Sequence, residues 1–480
     1  MANQASLMSR LLRTKPVERL MAETEGAAVD ASHQLERSIG LFQLTMFGVG
    51  ATIGTGIFIV LTEAVPKAGP GVILSFVIAG ITAALTALCY AELASSIPVS
   101  GSSYSYAYAT LGELAAYGVG WCLLLEYGVS AAAVAVGWGQ YLNELLGVTI
   151  GVRMPDAISQ PPGEGGYVNL PSIVLVALCC LLLMRGARES AIANAVMVVV
   201  KIAVLLLFVV IGLSAFDAHN LVPFAPFGIA GIGAAASTIF FSYIGLDAVS
   251  TAGEEVKDPH RTLPLAIILS LFTVTGIYVL VALAGTGAQP WESFAGQDAG
   301  LAVILRNITG AIWPSLLLST GAVVSIFSVT LVVIYGQTRI LFAMGRDGML
   351  PPLFYRVDPH TMTPVQNTII VGIGIALLAA FVPLHVLANL TSMGTLVAFT
   401  VVSLGVIILR RTQPQLKRNF RVPLFPYVPL ASIAFCLYLI LGLPLDTFLL
   451  FGVWLGVAAI LYFGYSIRHS RLETAATAAE

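Results

Sequence analysis

Charge is what this sequence has least of. Asp, Glu, Lys and Arg together make up 10% of its 480 residues, against about 25% in an ordinary soluble domain. So few charges cannot cover a water-facing surface, and 58% of the residues are hydrophobic. A soluble globular protein is thereby excluded. The net charge is −2, with a pI near 6.3. The sequence holds no basic block of the kind that binds nucleic acid. Cysteine is scarce too. Cys89, Cys122, Cys179, Cys180 and Cys436 lie in or at the edges of apolar runs without metal-ligand spacing, so they read as small hydrophobes. No metal or other cofactor is expected. The six His fall mostly in loops or tails. No His/Cys cluster or catalytic triad sits at membrane depth, which argues against an integral membrane enzyme. The first 35 residues are too polar for a signal peptide. Residues 11–22, LRTKPVERLMAE, suggest instead a short amphipathic helix on the cytoplasmic surface.

What the sequence has is long apolar runs. A membrane-spanning helix needs about 20 apolar residues. Twelve segments can be drawn, at 40–62, 71–97, 113–148, 170–186, 190–215, 231–253, 263–286, 314–338, 367–383, 386–409, 427–443 and 446–467. The third segment and the loop before the eighth are long enough to hold extra helix. With the N-terminus placed inside, nineteen Lys and Arg fall on the cytoplasmic side. Only Lys67, Arg153 and Arg306 fall outside, and Lys201 lies within the membrane. This asymmetry follows the positive-inside rule, and one missed span would invert every later loop. Both termini are therefore expected in the cytoplasm. The sequon Asn307-Ile308-Thr309 lies in an expected outside loop and would serve glycosylation only in a eukaryotic source.

Two spans are interrupted by glycine and polar residues. The first reads Phe47-Gly48-Val49-Gly50-Ala51-Thr52-Ile53-Gly54-Thr55-Gly56-Ile57-Phe58. Each Gly costs a helix up to about 1 kcal/mol relative to Ala. A helix unwound here frees backbone N–H groups for an anion, aided by the positive end of the half-helix that follows. Close helix packing is the alternative, since Gly48 and Gly56, like Gly50 and Gly54, are helically spaced. The sixth span carries a similar interruption, Ile239-Phe240-Phe241-Ser242-Tyr243-Ile244-Gly245-Leu246-Asp247-Ala248-Val249-Ser250. Interrupted spans at corresponding places in two halves point to a transporter's binding site.

Lys201 lies about ten residues from either end of the fifth span. A charge at the bilayer centre costs at least ~2.5 kcal/mol, so it must face protein acceptors, in a functional or a structural role. Glu126 and Asp247 are the deepest carboxylates in the reading. Each can hold a proton or pair with a cation or a helix end, and Glu126 could equally be a structural anchor. Glu92 and Glu144 lie near span ends and remain open, whereas Glu254 and Glu255 suit a solvated cytoplasmic face.

Several of these stretches resemble one family. Gly50 to Phe58 is similar to the span-1 signature of the amino acid–polyamine–organocation transporters. Tyr90-Ala91-Glu92-Leu93 with Pro98-Val99-Ser100-Gly101-Ser102-Ser103-Tyr104-Ser105-Tyr106 resembles the segment from span 2 to span 3. Phe241 to Asp247, continuing through Glu254-Glu255-Val256-Lys257-Asp258-Pro259 to Pro264, resembles span 6. Gly336-Gln337-Thr338-Arg339 and Arg346-Asp347-Gly348-Met349-Leu350-Pro351 resemble the end of span 8 and its loop. The resemblance runs from about residue 38 to 425. Arg418-Asn419-Phe420-Arg421-Val422-Pro423 and Arg13-Thr14-Lys15-Pro16 point to the cationic amino acid transporter subfamily and its bacterial relatives.

The resemblance implies an all-α integral membrane protein of twelve transmembrane helices. It would have the LeuT-type 5+5 inverted repeat, two appended C-terminal helices, and discontinuous spans 1 and 6. The divisions would be a cytoplasmic segment 1–37, repeats at 38–215 and 231–410, spans 11 and 12 at 427–467, and a cytoplasmic tail 468–480. It implies that a substrate carboxylate meets Thr52, Ile53, Gly54, Thr55 and Gly56. The ammonium would meet free carbonyls of Phe241, Ser242 and Ile244. Lys201 would take the place that sodium holds in sodium-coupled members, and Asp247 and Glu126 would serve proton movement or substrate handling. The family has Phe or Trp where this chain has Leu246.

The function implied is secondary transport of amino acids across the plasma membrane, independent of sodium and coupled to protons. The partners are then the amino acid, a proton and lipid, with no nucleic acid, and the sequence does not reveal the oligomeric state. An exchanger for cationic amino acids and a transporter-like sensor share these motifs. The interrupted spans add no acidic residue beyond Asp247 to receive a cationic side chain, which favours neutral substrates.

Overall fold

The computed structural model describes residues 11–17, 39–54, 56–97, 102–185, 191–251, 256–297, 299–358 and 363–471. Among the described residues the regular structure is helical, save one isolated bridge between Ile39 and Val256. Among the described residues, eight helical stretches are long and apolar enough to cross a membrane, and shorter apolar helices lie among them.

Helix α1, Leu41–Thr52, stops where Ile53 leaves helical geometry, and α2, Gly56–Ala68, follows. A single 3-10 turn, Gly69–Gly71, leads into α3, Val72–Ser96. Helix α4 is Ser102–Thr110. Helices α5, Glu113–Leu124, and α6, Ser130–Ile150, are joined through a π-helical turn at Leu125–Val129. Next come α7, Leu170–Met184, and α8, Ala191–Ser214. Helix α9, Gly228–Ile239, tightens into a 3-10 turn at Phe240–Tyr243 and unwinds at Ile244 before a short helical turn, Ala248–Thr251. Helix α10 is Pro259–Ala288, and α11, Gly300–Thr309, is the extra helix expected before α12, Ile312–Arg346. Asn307 of the sequon sits exposed within α11. Helices α13, Val365–Phe381, α14, Leu384–Thr412, α15, Tyr427–Leu441, and α16, Leu445–Leu461, complete the order.

The side chains explain the packing. Helix α10 lies against α1 and α3, and α9 lies against α2. Gly48 faces Ser270 of α10 so closely that any Cβ would collide with its hydroxyl, so at Gly48 the packing reading holds. Leu441, Leu449, Val453 and Ile460 on α15 and α16 are all exposed. An exposed apolar face of this kind suits hydrocarbon rather than water.

Near the N-terminus, the amphipathic helix expected over 11–22 does not form across 13–16. Pro16 disfavours helical geometry at Lys15. The Lys15 N–H instead donates to Tyr108 O at 3.0 Å, and Arg13 O accepts from the Glu113 N–H at 3.0 Å. Residues 18–22 lie outside the described residues.

Candidate functional site

The two interruptions face each other. A Cβ on Gly56 would lie 2.6 Å from Ser242 Cα, and one on Gly245 would lie 2.6 Å from Ala51 O. Gly245 also has φ +94°, a conformation side chains resist. Glycine at these two positions lets the two backbones touch. Between them lies a cavity of ≈ 30 Å³. Ala51, Thr52, Gly54 and Gly56 line one side, and Phe241, Ile244 and Gly245 another. Glu126, Tyr127, Ser130 and Val134 enter from α6 and its π turn, and Val329 and Val333 from α12. Such π turns inside α-helices are frequent at functional sites.

The expected carboxylate groups are not equally available. The Thr52 hydroxyl donates back to Gly48 O at 2.8 Å. The Ile53 N–H donates to Val49 O at 2.8 Å, and the Gly54 N–H to Thr52 O at 2.7 Å. Anion-binding capacity therefore concentrates on the first turn of α2 from Gly56, because the leading N–H groups of a helix lack intrahelical partners. Thr55 lies outside the described residues. Among the expected ammonium acceptors, Phe241 O takes the Ile244 N–H at 3.4 Å. Ser242 O takes the Tyr278 hydroxyl at 2.9 Å. The Ser242 hydroxyl is buried with no partner among the described residues.

Tyr278 is the site residue that sequence reasoning missed. It is fully buried on α10, and its hydroxyl also reaches Thr52 O at 3.0 Å. The single phenolic proton is thus shared between a carbonyl from each interruption. Edge contacts with Tyr243 and Phe76 fix its ring. Nothing in the uninterrupted apolar run of α10 marks it out.

Lys201 is 1% exposed and donates from Nζ to Gly50 O at 3.1 Å, which ties α8 to the last turn of α1. It stands behind the cavity wall rather than in it. Asp247 stands behind the wall as well. Its Oδ2 accepts from Tyr127 OH at 2.9 Å and Ser102 Oγ at 3.3 Å. Gly336 of α12 makes room for the Tyr127 ring, since a Cβ there would sit 2.7 Å from Cε1. Both oxygens of Glu126 and Oδ1 of Asp247 are buried without a hydrogen-bond donor among the described residues. Burying an unpartnered carboxylate is costly, so this arrangement suits a proton or a cation.

The acids left open in the sequence are end clamps. Glu92 holds Arg410 at 2.7 Å and accepts from the Val422 N–H at 2.7 Å, which explains why the stretch around Arg418–Val422 folds back on α3. Glu144 holds Arg153 and Arg306, both at 2.6 Å. Glu254 and Glu255 lie outside the described residues.

These features define a multi-pass helical membrane protein built around a small site where two interrupted helices meet. The sequence profile of the amino acid permease family matches residues 39–459, and the chain belongs to that family of transporters, which are not enzymes. It is 43% identical to a methylthioribose transporter of Bacillus subtilis, over 97% of this chain and 100% of that one. It is also 43% identical to the branched-chain amino acid permease BcaP of the same organism, over 96% of this chain and 99% of the other. The vacuolar cationic amino acid transporter 4 of Arabidopsis thaliana is 36% identical over 85% of this chain and 68% of its own.

Proposed function

We propose that this protein is a secondary transporter that moves amino acids across the plasma membrane by alternating access. Transport is independent of sodium and coupled to protons. The frame is twelve spans, two inverted five-helix repeats and two appended helices, with spans 1 and 6 discontinuous and both termini cytoplasmic. The observation that carries this reading is the meeting of two interrupted helices at one cavity, clasped by the Tyr278 hydroxyl through Thr52 O and Ser242 O.

In this reading the substrate carboxylate sits on the start of α2, with the segment Thr52, Ile53, Gly54, Thr55 and Gly56 shaping its seat. The ammonium meets the carbonyls of Phe241, Ser242 and Ile244. A carbonyl oxygen has two lone pairs, so Ser242 O can serve both Tyr278 and a substrate. Val134, Val329 and Val333 offer an apolar wall to a side chain, which favours neutral amino acids, as does the kinship with a branched-chain permease. Lys201 holds the place of a coupling cation, and Glu126 and Asp247 are the seats for the proton.

The equal kinship with a methylthioribose transporter supports a second reading, in which the substrate lacks a carboxylate. Counterflow in proteoliposomes over small neutral, branched and cationic amino acids and methylthioribose separates the readings. The expected result is rapid exchange of a neutral amino acid. Binding without exchange would identify a sensor, exchange of Arg and Lys alone the cationic reading, and exchange of methylthioribose alone the second reading.

A further inference from the structure

Two motifs in the sequence take no part in the cavity, Arg13-Thr14-Lys15-Pro16 and Arg346-Asp347-Gly348-Met349-Leu350-Pro351. The structure brings them together with both tails of the chain. Glu113, fully buried at the start of α5, accepts from Arg13 Nε at 2.8 Å and from Ser470 Oγ at 2.6 Å. It also accepts from Tyr108 OH and Tyr462 OH, each at 3.2 Å. Asp347 accepts from Lys15 Nζ at 3.3 Å and from Tyr104 OH at 2.9 Å. The C-terminal segment pairs with the same loop. The Arg471 N–H donates to Asp347 O at 3.1 Å, and Ser466 Oγ to Met349 O at 2.6 Å. Gly348 is required there, because a Cβ would collide with His469 O.

Helix α4 connects this assembly to the central acids. Ser102 at one end reaches Asp247, Tyr104 reaches Asp347, and Tyr108 at the other end reaches Glu113. Nine helical residues at 1.5 Å each span only about 13 Å. A short helix pinned at both ends moves as one body.

We propose that residues 11–17 and 466–471 form a cytoplasmic latch that holds the inner end of the transporter shut, and that α4 couples the latch to Asp247. Arg13 and Lys15 bolt the N-terminal segment across α4, α5 and the loop after α12. Releasing the substrate to the cytoplasm requires α4 to tilt, which parts Tyr104 from Asp347 and strains the Lys15 contact. A change at Asp247, through substrate or proton, pulls on Ser102 at the far end of the same helix. Glu113 keeps Tyr108 and Tyr462 when Arg13 and Ser470 leave, so opening the latch does not strand a bare buried carboxylate.

The test uses the full chain in nanodiscs and proteoliposomes. Arg13→Ala/Lys15→Ala is expected to raise amide exchange across residues 102–110 about fivefold. It should also raise KM for external substrate about fivefold while lowering KM from the cytoplasmic side, a coupling of ordinary allosteric size. Tyr104→Phe keeps the tail docked through Arg13 and the Lys15 N–H. It should reproduce the KM shifts while exchange over 11–17 stays unchanged. Unchanged exchange at 102–110 in the double variant would overturn the latch, and unchanged KM values in Tyr104→Phe would overturn the coupling. The exchange arm needs no transport, so its result stands apart from the reading of the protein as a transporter.

Discussion

Gly56→Leu is expected to abolish uptake and binding of every substrate while the protein still reaches the membrane. The space at Gly56 is already filled. A lone Cβ there would lie 2.6 Å from Ser242 Cα and 2.8 Å from its hydroxyl. Backbone cannot swing aside as a flexible side chain can, so the two interruptions must separate. Separation also pulls Thr52 O and Ser242 O off the Tyr278 hydroxyl, which clasps both. Overpacking of this kind costs about 1–3 kcal/mol even for one or two carbons. If that cost falls on the binding-competent arrangement, then at 1.4 kcal/mol per decade Gly56→Ala should weaken binding by roughly 5-fold to 150-fold. Leu adds three further carbons to the same crowded contact with Ser242, beside the first turn of α2 where the substrate carboxylate is proposed to sit. Ordinary substrate binding by a well-expressed, monodisperse Gly56→Leu protein would contradict the proposed site.

Lys201→Met should abolish transport with a smaller loss of substrate binding. Met keeps most of the length and removes the ammonium that bonds Gly50 O at 3.1 Å. Gly50 lies in the last turn of α1, two residues before its end at Thr52. The ammonium therefore ties α8 to α1, whose movement the proposed alternating access requires. Met removes the cost of burying a cation while leaving the neutral Gly50 carbonyl without this donor, and no buried charge is stranded there, so the folded protein should survive with reduced stability. Equilibrium binding should weaken severalfold and uptake should fall below detection. Full uptake by Lys201→Met would make the lysine a structural residue.

Sequence and structure agree where the signal is local. The apolar run at 71–97 corresponds to α3, Val72–Ser96, and the glycine-rich stretch after Phe47 contains the end of α1 at Thr52. Hydropathy and glycine content act on the residues that carry them, so both can be read from the chain alone. Long-range features were not legible. Tyr278 lies amid a continuous apolar helix, and its role exists only because Thr52 and Ser242 fold onto it. The π turn at Leu125–Val129 adds no unusual residue, yet it helps place Glu126 and Tyr127 at the cavity. The N–H groups of Ile53 and Gly54 looked free in a broken helix but are used locally. That detail depends on backbone torsions no composition encodes. The stretch 11–22 carries an amphipathic pattern, and at 13–16 contacts with Tyr108 and Glu113 override it.

We propose that the Lys201 ammonium stands where a sodium-coupled relative would hold its ion, leaving protons to drive transport. In this proposal like charge repels Na⁺, and Oε1 and Oε2 of Glu126 and Oδ1 of Asp247, buried without a hydrogen-bond partner among the described residues, are the seats for a proton. The most direct measurement is uptake of a labelled neutral amino acid into proteoliposomes with choline replacing all Na⁺, with and without an inward proton gradient. Uptake should persist in choline and rise severalfold with the gradient. Strict dependence on Na⁺ would contradict the account.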